Sequence, residues 1–242
     1  MCTSLVISIV SHQQINLVAE LINSIIPKLN NKNSKIVLTV NTPEDLTPIS
    51  EHLDKVTILE NVNPKGFGAN HNHAFDTFNS DVFLVLNPDI LFEEFDFEYY
   101  INLASTTNVG IVSCTVVNSF HNLEDNIRDD INLSQLFIRH VMGVKQKTIP
   151  HSMEPIKIAW CAGMIMFFNS KAYKKVGGFD ERYYMYLEDA DICRRMRILN
   201  YEVLYASRSY VIHAARRASR KLNKFLFIHL CSMVKYLFRF GF

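Results

Sequence analysis

Short apolar runs separated by polar turns divide the first third of the chain into alternating strands and helices. Runs rich in β-branched residues predict strands at Ser4–Val10, Lys35–Val40, Val56–Leu59 and Val82–Leu86. Apolar residues four positions apart predict a helix at Asn16–Leu29, and a second helix at Ala69–Phe78 follows a glycine turn. This order with short links predicts an α/β fold, in which helices cover a largely parallel sheet.

The most informative strand is Val82–Leu86, which is followed directly by Asn87, Pro88 and Asp89. An unbroken apolar run is typical of a strand buried on both faces, and Pro88 cannot continue a sheet ladder. Asp89 would therefore lie at the carboxyl end of a strand, where open α/β sheets bind ligands. A carboxylate there can hold a divalent cation against a diphosphate. The alternative is an ordinary turn, which these residue types also favour.

The loop before the second helix contains Lys65, Gly66, Gly68 and, after one helical turn, Asn72. Its glycines allow a close backbone approach, and the start of the helix offers N–H groups to an anion. The spacing matches neither the dinucleotide fingerprint nor a P-loop. Lys65 and Asn72 are equally well interpreted as ligand contacts or as surface residues.

The second half predicts strands at Val109–Val117 and Met164–Phe168 and a helix at Asn169–Val176 that ends at two glycines. Between them, Asn118–Pro150 has few periodic signals, which indicates a functional loop or hidden elements. Trp160, the single tryptophan, could stack on a sugar ring in a cleft or belong to the core. We predict that Trp160 lies in the cleft.

Acidic and tyrosine residues crowd the segment from Phe179 to Asp191, and a helix is predicted to start near Glu188. Acids at a helix start are favoured by the macrodipole alone. However, Asp189 shares a helix face with apolar Ile192 and Met196, so its carboxylate is predicted to point inward. An inward carboxylate at the start of a helix is a candidate general base.

Composition excludes several classes of protein. The chain has 242 residues, of which 48% are hydrophobic and 20% charged, so it can form a packed core. Its formal net charge of +1 gives no reason to expect nucleic acid as a partner. The five cysteines are scattered, and the N-terminus lacks the basic region of a secretory signal. We therefore expect a cytoplasmic protein.

The last segment, residues 216–242, is predicted to be a basic amphipathic helix. No acid follows Glu202, whereas eight lysines and arginines do. Its apolar run Phe225–Val234 is too short to span a bilayer. Binding the cytoplasmic surface of the membrane is one interpretation. Packing on the domain or on a second subunit, which would give a homodimer, is the alternative of equal weight.

Taken together, three blocks resemble the family 2 glycosyltransferases. They are Asn87-Pro88-Asp89, the loop from Gly66 to Asn72, and Gly177-Gly178-Phe179-Asp180-Glu181 with Glu188-Asp189-Ala190-Asp191. Within the family, the likeness is greatest to bacterial dTDP-rhamnosyltransferases of O-antigen and cell-wall polysaccharide synthesis. The resemblance covers Ser4–Ser219 and implies the GT-A fold, a single domain with a Rossmann-like αβα sandwich. Residues 1–92 would bind the nucleotide sugar and residues 93–215 the acceptor.

The resemblance also implies roles for individual residues. Asp89 and His213 would bind Mg²⁺ or Mn²⁺, with Asn87 in place of the first acid of the family's metal motif. Asp189 would be the catalytic base. Asn41 stands where the family usually has an Asp that reads the nucleotide base. The remaining residues predicted to bind substrate are Lys65, Gly66, Phe67, Gly68, Asn72, Trp160, Gly163, Glu188, Arg194 and Arg216.

The implied activity is inverting transfer of a sugar, L-rhamnose from dTDP-L-rhamnose, to a saccharide or to an undecaprenyl-diphosphate-linked saccharide. Such transfer needs positive charge at the leaving diphosphate and a base for the acceptor hydroxyl. The alternatives are transfer of another hexose from a UDP-sugar, a nucleotidyltransferase, and a non-catalytic module that binds sugar nucleotides.

Overall fold

A computed structural model describes residues 3–29, 33–131, 152, 154–214 and 222–241. The first half follows the predicted alternation: β1 (Leu5–Ser11), α1 (Ile15–Ile25), β2 (Ser34–Val40), β3 (Val56–Glu60), α2 (Phe67–Phe75) and β4 (Val82–Leu86). Short 3₁₀ turns lie at Ile26–Lys28 and Thr47–His52. The regular part of α1 ends before the predicted boundary, because Pro27 has no N–H to continue the α-helical ladder.

The second half contains more elements than the apolar pattern predicts. The elements of the second half, in chain order, are β5 (Ile90–Leu91), α3 (Phe97–Ala104), β6 (Val109–Asn118), β7 (Ile127–Arg128), β8 (Ile156–Lys157), β9 (Trp160–Cys161), β10 (Ile165–Asn169), α4 (Ser170–Val176), α5 (Glu188–Ile198), β11 (Glu202–His213) and α6 (Leu222–Phe240). The predicted strands at β6 and β10 and the predicted helices at α4 and α5 are present.

One sheet runs through both halves in the order β3-β2-β1-β4-β10-β6-β11-β5, with β8 paired to β11. Strands β1 to β4 are parallel to one another, and β6 is parallel to β11. β10 is antiparallel to both β4 and β6, so those two strands point the same way. The sheet is thus mostly parallel, as predicted, with a reversed strand at its centre.

Apolar layers cover both faces of this sheet. In β1, Leu5, Ile7 and Ile9 face one layer, which includes α1 and α3. Val6 faces the other layer, which includes α2, α4, α5 and Tyr236 of α6. The alternation explains why the strands read as continuous apolar runs, because both of their faces are buried. Within the described ranges, none of the helices has the length and apolarity to cross a bilayer.

Helix α6 packs on the domain along one side only. The apolar side predicted from Leu226, Leu230 and Leu237 is buried at Leu237, next to buried Tyr236, but exposed at Leu226 and Leu230. The predicted apolar side is therefore divided between the domain and the outer surface.

Candidate active site

Asp89 and His213 come together at the carboxyl end of β4. The Asn87 N–H donates to the Met164 carbonyl at 3.0 Å, and the Ile90 N–H returns to the Asn87 carbonyl at 3.3 Å, which closes a turn around Asp89. The pairing of β5 with β11 sets Ile90 opposite His213. The His213 Nε2 atom then lies 3.1 Å from Asp89 Oδ2. The structure thus joins two residues that are far apart in sequence and were predicted to share one site.

Glu124 completes this cluster and was not predicted. Its Oε2 atom lies 2.6 Å from His213 Nδ1, on the side of the ring away from Asp89. A carboxylate on one ring nitrogen fixes the orientation of a histidine whose other nitrogen faces a ligand. Burial lowers the pKa of His213, but the hydrogen bonds and charges of Asp89 and Glu124 outweigh burial and raise the pKa to about 9. His213 is therefore an imidazolium when no cation replaces its proton.

The donor set fits a hard divalent cation shared with a ligand. Asp89 Oδ1 is buried, and no described group of the protein hydrogen-bonds to it. Among the residues that the structure describes, no group of three or more His, Cys, Asp or Glu side chains is arranged to hold a metal. A Mg²⁺-type site commonly takes one or two protein ligands and completes its shell with phosphate oxygens and water. Asp89 and His213 fit such a partial site.

Asp189 is fixed on the same edge of the sheet. Its Oδ2 atom accepts a hydrogen bond from the Gly163 N–H at 3.0 Å, and its Oδ1 atom accepts one from the Ala190 N–H at 2.8 Å. Gly163 is the neighbour of Met164, whose carbonyl holds Asn87 at the end of β4. The candidate base and the turn that carries Asp89 are therefore both attached to the two residues that precede β10.

The backbone just before α5 is strained. Tyr186 and Leu187 have φ values of 72° and 66°, which non-glycine residues rarely adopt. These conformations turn the chain so that Glu188 and Asp189 open α5. Strain of this kind collects at functional sites, where surrounding contacts hold the chain in place.

Both carboxyls at the start of α5 retain protons more strongly than ordinary acids. Burial, followed by the charge of Asp189, raises the pKa of Glu188 to about 8. Burial also raises the pKa of Asp189, although hydrogen bonds from the Ala190 and Gly163 N–H groups act in the opposite direction. Glu188 Oε2 is buried, and no described group hydrogen-bonds to it. At neutral pH the two carboxyls together therefore hold at least part of a proton, mainly on Glu188.

We expect catalytic activity to increase with pH above the ordinary carboxyl range, because burial raises the pKa of Asp189, and Glu188→Gln to leave this increase nearly unchanged. A base with a raised pKa is protonated and inactive below that pKa and becomes active above it. Glutamine resembles the protonated form of Glu188, whose pKa of about 8 keeps that carboxyl neutral while Asp189 loses its proton. The pH profile of kcat/KM measures both effects. A wild-type increase centred near 4, the ordinary carboxyl range, would contradict the raised pKa of Asp189, and a large shift in Glu188→Gln would contradict the neutral state of Glu188.

Asn72 has a structural role that the sequence did not indicate. Its Oδ1 atom accepts hydrogen bonds from Tyr173 Oη at 2.7 Å and from the Phe179 N–H at 2.9 Å. Its Nδ2 atom donates to the Phe179 carbonyl and to Glu181 Oε1, each at 2.9 Å. The amide uses all its hydrogen-bonding positions within the protein, so it joins α2 to the segment before α5.

Asn72→Ala is expected to lower the free energy of unfolding by about 2–3 kcal/mol, since it leaves the buried Tyr173 hydroxyl and the Phe179 N–H without acceptors. For a chain of this size, that corresponds to a melting temperature lower by roughly 5–10 °C. Thermal unfolding of both variants measures the change. His73→Ala, at an exposed position of the same helix, is the control and should lie within about 0.5 kcal/mol of wild type. Equal melting temperatures for the two variants would show that the Asn72 hydrogen bonds do not contribute to the free energy of unfolding.

Asn41 is also engaged with the protein. Its Oδ1 accepts from the Lys65 N–H at 2.8 Å, and its Nδ2 donates to the Lys65 carbonyl at 3.0 Å. Asn61, another residue that was not predicted, bridges Asn41 and Asn70 with bonds of 2.9 and 2.7 Å. These amides fix the backbone of the glycine loop, while the Lys65 side chain is exposed at its rim.

The glycines of this loop are explained by protein contacts. A Cβ atom on Gly66 would lie 2.6 Å from the Tyr184 carbonyl oxygen, and one on Gly68 would lie 2.6 Å from Phe179 Cβ. The Phe67 N–H donates to the same Tyr184 carbonyl at 3.0 Å. The Phe67 ring is within 3.1 Å of the place where a Gly163 Cβ would stand. The loop therefore packs against both segments that hold Asp189.

Two predicted substrate contacts are placed elsewhere by the structure. Trp160 is a core residue and not an open stacking platform, since it is 5% exposed and its indole N–H donates to the Asp129 carbonyl at 2.7 Å. The Arg194 guanidinium lies 4.5 Å from the Phe240 ring centre and donates to the Phe240 carbonyl at 3.3 Å, so it binds α6. Arg216 lies outside the described residues.

Comparison with known proteins gives a consistent answer. The family model described as glycosyltransferase like family 2 matches residues 4–228. Rhamnosyltransferase WbbL of Escherichia coli (strain K12) is 29% identical over 186 residues, which cover 72% of this chain and 70% of that protein. The N-acetylglucosaminyl-diphospho-decaprenol L-rhamnosyltransferase of Mycobacterium tuberculosis (strain ATCC 25618 / H37Rv) is 33% identical over 69 residues, 28% of this chain and 22% of that protein.

Solved structures share the fold at low sequence identity. GalNAc-T7 with UDP, GalNAc and Mn²⁺ has a TM-score of 0.74 at 14% identity, covering 98% of this chain and 48% of that chain. The mannosyltransferase PcManGT from Pyrobaculum calidifontis, in complex with GDP-Man and Mn²⁺, has a TM-score of 0.67 at 15% identity, covering 100% and 66%. This chain thus spans about half the length of the GalNAc-T7 chain. With the family match extending over almost the whole sequence, the chain belongs to glycosyltransferase family 2 and is a glycosyltransferase with the GT-A fold.

Proposed function

We propose that this chain is an inverting glycosyltransferase that moves L-rhamnose from dTDP-L-rhamnose to a saccharide acceptor in bacterial surface polysaccharide synthesis. The observation that carries the proposal is the attachment of Asp189, through Gly163, to the strand end that also presents the Asp89–His213 pair. One carboxylate and one site for a diphosphate are what a direct displacement requires. The rhamnose donor is suggested by the name of the relative WbbL.

Each residue has a stated task in this reaction. Asp189 accepts the proton of the acceptor hydroxyl as its oxygen bonds to the anomeric carbon, and the nucleoside diphosphate leaves with the bonding electrons from the opposite side. A single displacement inverts the anomeric carbon, whereas a second carboxylate placed to activate water would favour hydrolysis. Asp89 and His213 would hold a Mg²⁺ or Mn²⁺ ion, which supplies positive charge to the leaving diphosphate. Residues 1–92 would bind the nucleotide sugar and residues 93–215 the acceptor.

The acceptor and the place of action follow from chemistry and from a relative. The mycobacterial relative is named as acting on N-acetylglucosaminyl-diphospho-decaprenol, a lipid-linked sugar. We therefore propose an undecaprenyl-diphosphate-linked saccharide as acceptor and the cytoplasmic face of the cell membrane as the place of transfer. Support for a nucleotide donor comes from structural neighbours that hold UDP or GDP-mannose together with Mn²⁺.

A panel of donors tests the proposal. The protein is heated with dTDP-, UDP- and GDP-sugars, with and without Mn²⁺ or Mg²⁺, since a ligand bound only by the folded state raises its melting temperature. Release of free nucleoside diphosphate is then measured with an acceptor present. The largest shift and release with dTDP-L-rhamnose would support the donor assignment. A preference for a UDP-sugar would replace it, and binding without release would favour a non-catalytic module, an alternative raised by Asn87 in place of an acid.

A further inference from the structure

The inner face of α6 is tied to the segment that leads to the candidate base. Ser232 Oγ donates to the Met185 carbonyl at 2.8 Å. Arg239 Nη1 lies 3.0 Å from Asp191 Oδ1 and 2.5 Å from Asp180 Oδ2. Ser232 is 2% exposed and Tyr236 is 1% exposed. These contacts fix how α6 is rotated about its axis, and hence which side chains face outward.

The outer face of α6 is apolar and exposed. Five large side chains with exposures of 50–81% form an outer stripe: Leu226, Phe227, Leu230, Val234 and Phe238. Four of them recur every fourth residue, so they lie along one side of the helix. Single exposed apolar residues are ordinary, but a continuous stripe of this length marks an interaction surface.

A basic cleft adjoins the outer stripe. A cavity of about 290 Å³ lies between α6 and the segment before α5, and it is lined by Arg182, Tyr183, Val234, Lys235, Phe238 and Arg239. Three cationic side chains line the cleft, whereas two carboxylates, Asp180 and Asp191, pair with its arginines. The cleft therefore has an excess of positive charge. Val234 and Phe238 belong both to the stripe and to the cleft, so apolar and cationic groups are presented on one surface.

We propose that the outer stripe and the basic cleft together dock α6 on an anionic lipid bilayer. The stripe would enter the interface between headgroups and acyl chains, and the cleft would receive a lipid phosphate. The charge pattern favours a bilayer over a second copy of the chain. A two-fold interface would set this surface against itself, and no acid follows Glu202 in the sequence to oppose the cations.

Docking by this surface has a consequence for the active site. The segment that α6 holds, from Asp180 to Asp191, contains Glu188 and Asp189. A bound helix would therefore place the candidate base close to the headgroup layer. This step rests on the proposed function, because only a lipid-linked acceptor presents its sugar there, whereas docking itself does not depend on any activity.

The test is partition of the full chain onto vesicles of phosphatidylcholine alone and of phosphatidylcholine with phosphatidylglycerol. Wild type is expected to bind the anionic vesicles, and a Phe227→Ser/Phe238→Ser double variant to bind at least about tenfold more weakly, since two large apolar side chains no longer enter the interface. Lys235→Gln is expected to lower binding to anionic vesicles by roughly fivefold, with little effect on neutral ones.

A matched control removes exposed apolar groups elsewhere. Val62 is 96% exposed and Phe120 is 84% exposed, and neither lies on α6. Val62→Ser/Phe120→Ser should bind like wild type. The docking surface is refuted if both double variants lose binding equally, or if wild type binds neither kind of vesicle. It is also refuted if the serine substitutions on α6 abolish a dimer without changing partition, because the partner is then a second copy.

The same proteins separate this inference from the proposed function. Wild type that binds anionic vesicles but releases no nucleoside diphosphate from any donor would retain the docking surface and remove the enzymatic proposal. Conversely, the Phe227→Ser/Phe238→Ser variant is expected to transfer sugar to a water-soluble acceptor at the wild-type rate while losing vesicle binding.

Discussion

Asp189→Asn is expected to lower the rate of sugar transfer by about 10²–10⁴-fold, the range that a positioned general base contributes. Asparagine has nearly the same shape and keeps an oxygen for the Gly163 N–H, which now bonds to Asp189 at 3.0 Å. It cannot accept the proton of the acceptor hydroxyl. The loss should therefore appear in kcat, while binding of the donor, measured by calorimetry, stays near the wild-type value.

Asp54→Asn is the control for this substitution, because Asp54 is an exposed acid in the turn before β3. It should leave both transfer and donor binding unchanged. If Asp189→Asn retained most of its turnover, another group would have to be the base. If it lost donor binding to the same degree as transfer, Asp189 would act by holding the site together and not by taking a proton.

Local patterns were sufficient to predict the first half of the fold. Strands β1, β2 and β4 are largely buried on both faces, so each stands out as an apolar run. Strand β3, at the edge of the sheet, is mostly half-buried but keeps enough apolar residues to be recognised. The second half was predicted less completely. β11 has twelve residues, but its pairing with β6 shifts register between Ala206 and Tyr210. The shifted stretch carries Ser207, Arg208 and Ser209, which interrupt the apolar pattern.

The Asp89–His213 pair shows what a motif can and cannot predict. The end of an apolar strand identified Asp89, and the family resemblance identified His213. Their contact depends on the pairing of β5 with β11, two strands that join residues 124 positions apart. Glu124 follows β6 in a region without periodicity, and nothing in its sequence neighbourhood distinguishes it from other acids. Only the folded chain places it on the His213 ring.

The residues whose predicted roles changed have a common cause. Spacing along a chain tells which side of an element a residue lies on, but not what covers that side. Trp160 lies under Asp129 and Arg128, and Arg194 lies under α6. In the same way, the sequence indicated that Gly66 and Gly68 permit a close approach. The approaching groups are Tyr184 and Phe179 of the protein itself.

Asp89→Asn is expected to abolish the extra thermal stabilisation that Mn²⁺ gives in the presence of a nucleoside diphosphate, and to lower transfer by about 10²–10³-fold. The cation contributes several kcal/mol to stabilising charge on the leaving group, and one neutral oxygen is a poor substitute for a carboxylate. The buried Oδ1 atom, which no described protein group hydrogen-bonds to, would be the ligand that the substitution weakens. Melting temperatures with nucleotide, with and without Mn²⁺, provide a measurement independent of catalysis.

Glu94→Gln removes an exposed acid a few residues away and should respond to Mn²⁺ like wild type. His213→Asn provides the second comparison. If Asp89 binds the cation and His213 assists, Asp89→Asn should lose the response to Mn²⁺ completely and His213→Asn only in part, because a carboxylate attracts a divalent cation more strongly than a neutral ring nitrogen does. An undiminished response in Asp89→Asn would place the cation elsewhere. Asp89 would then serve only to hold the protonated His213 ring. The His213 imidazolium, and not a metal ion, would be the positive charge nearest the diphosphate.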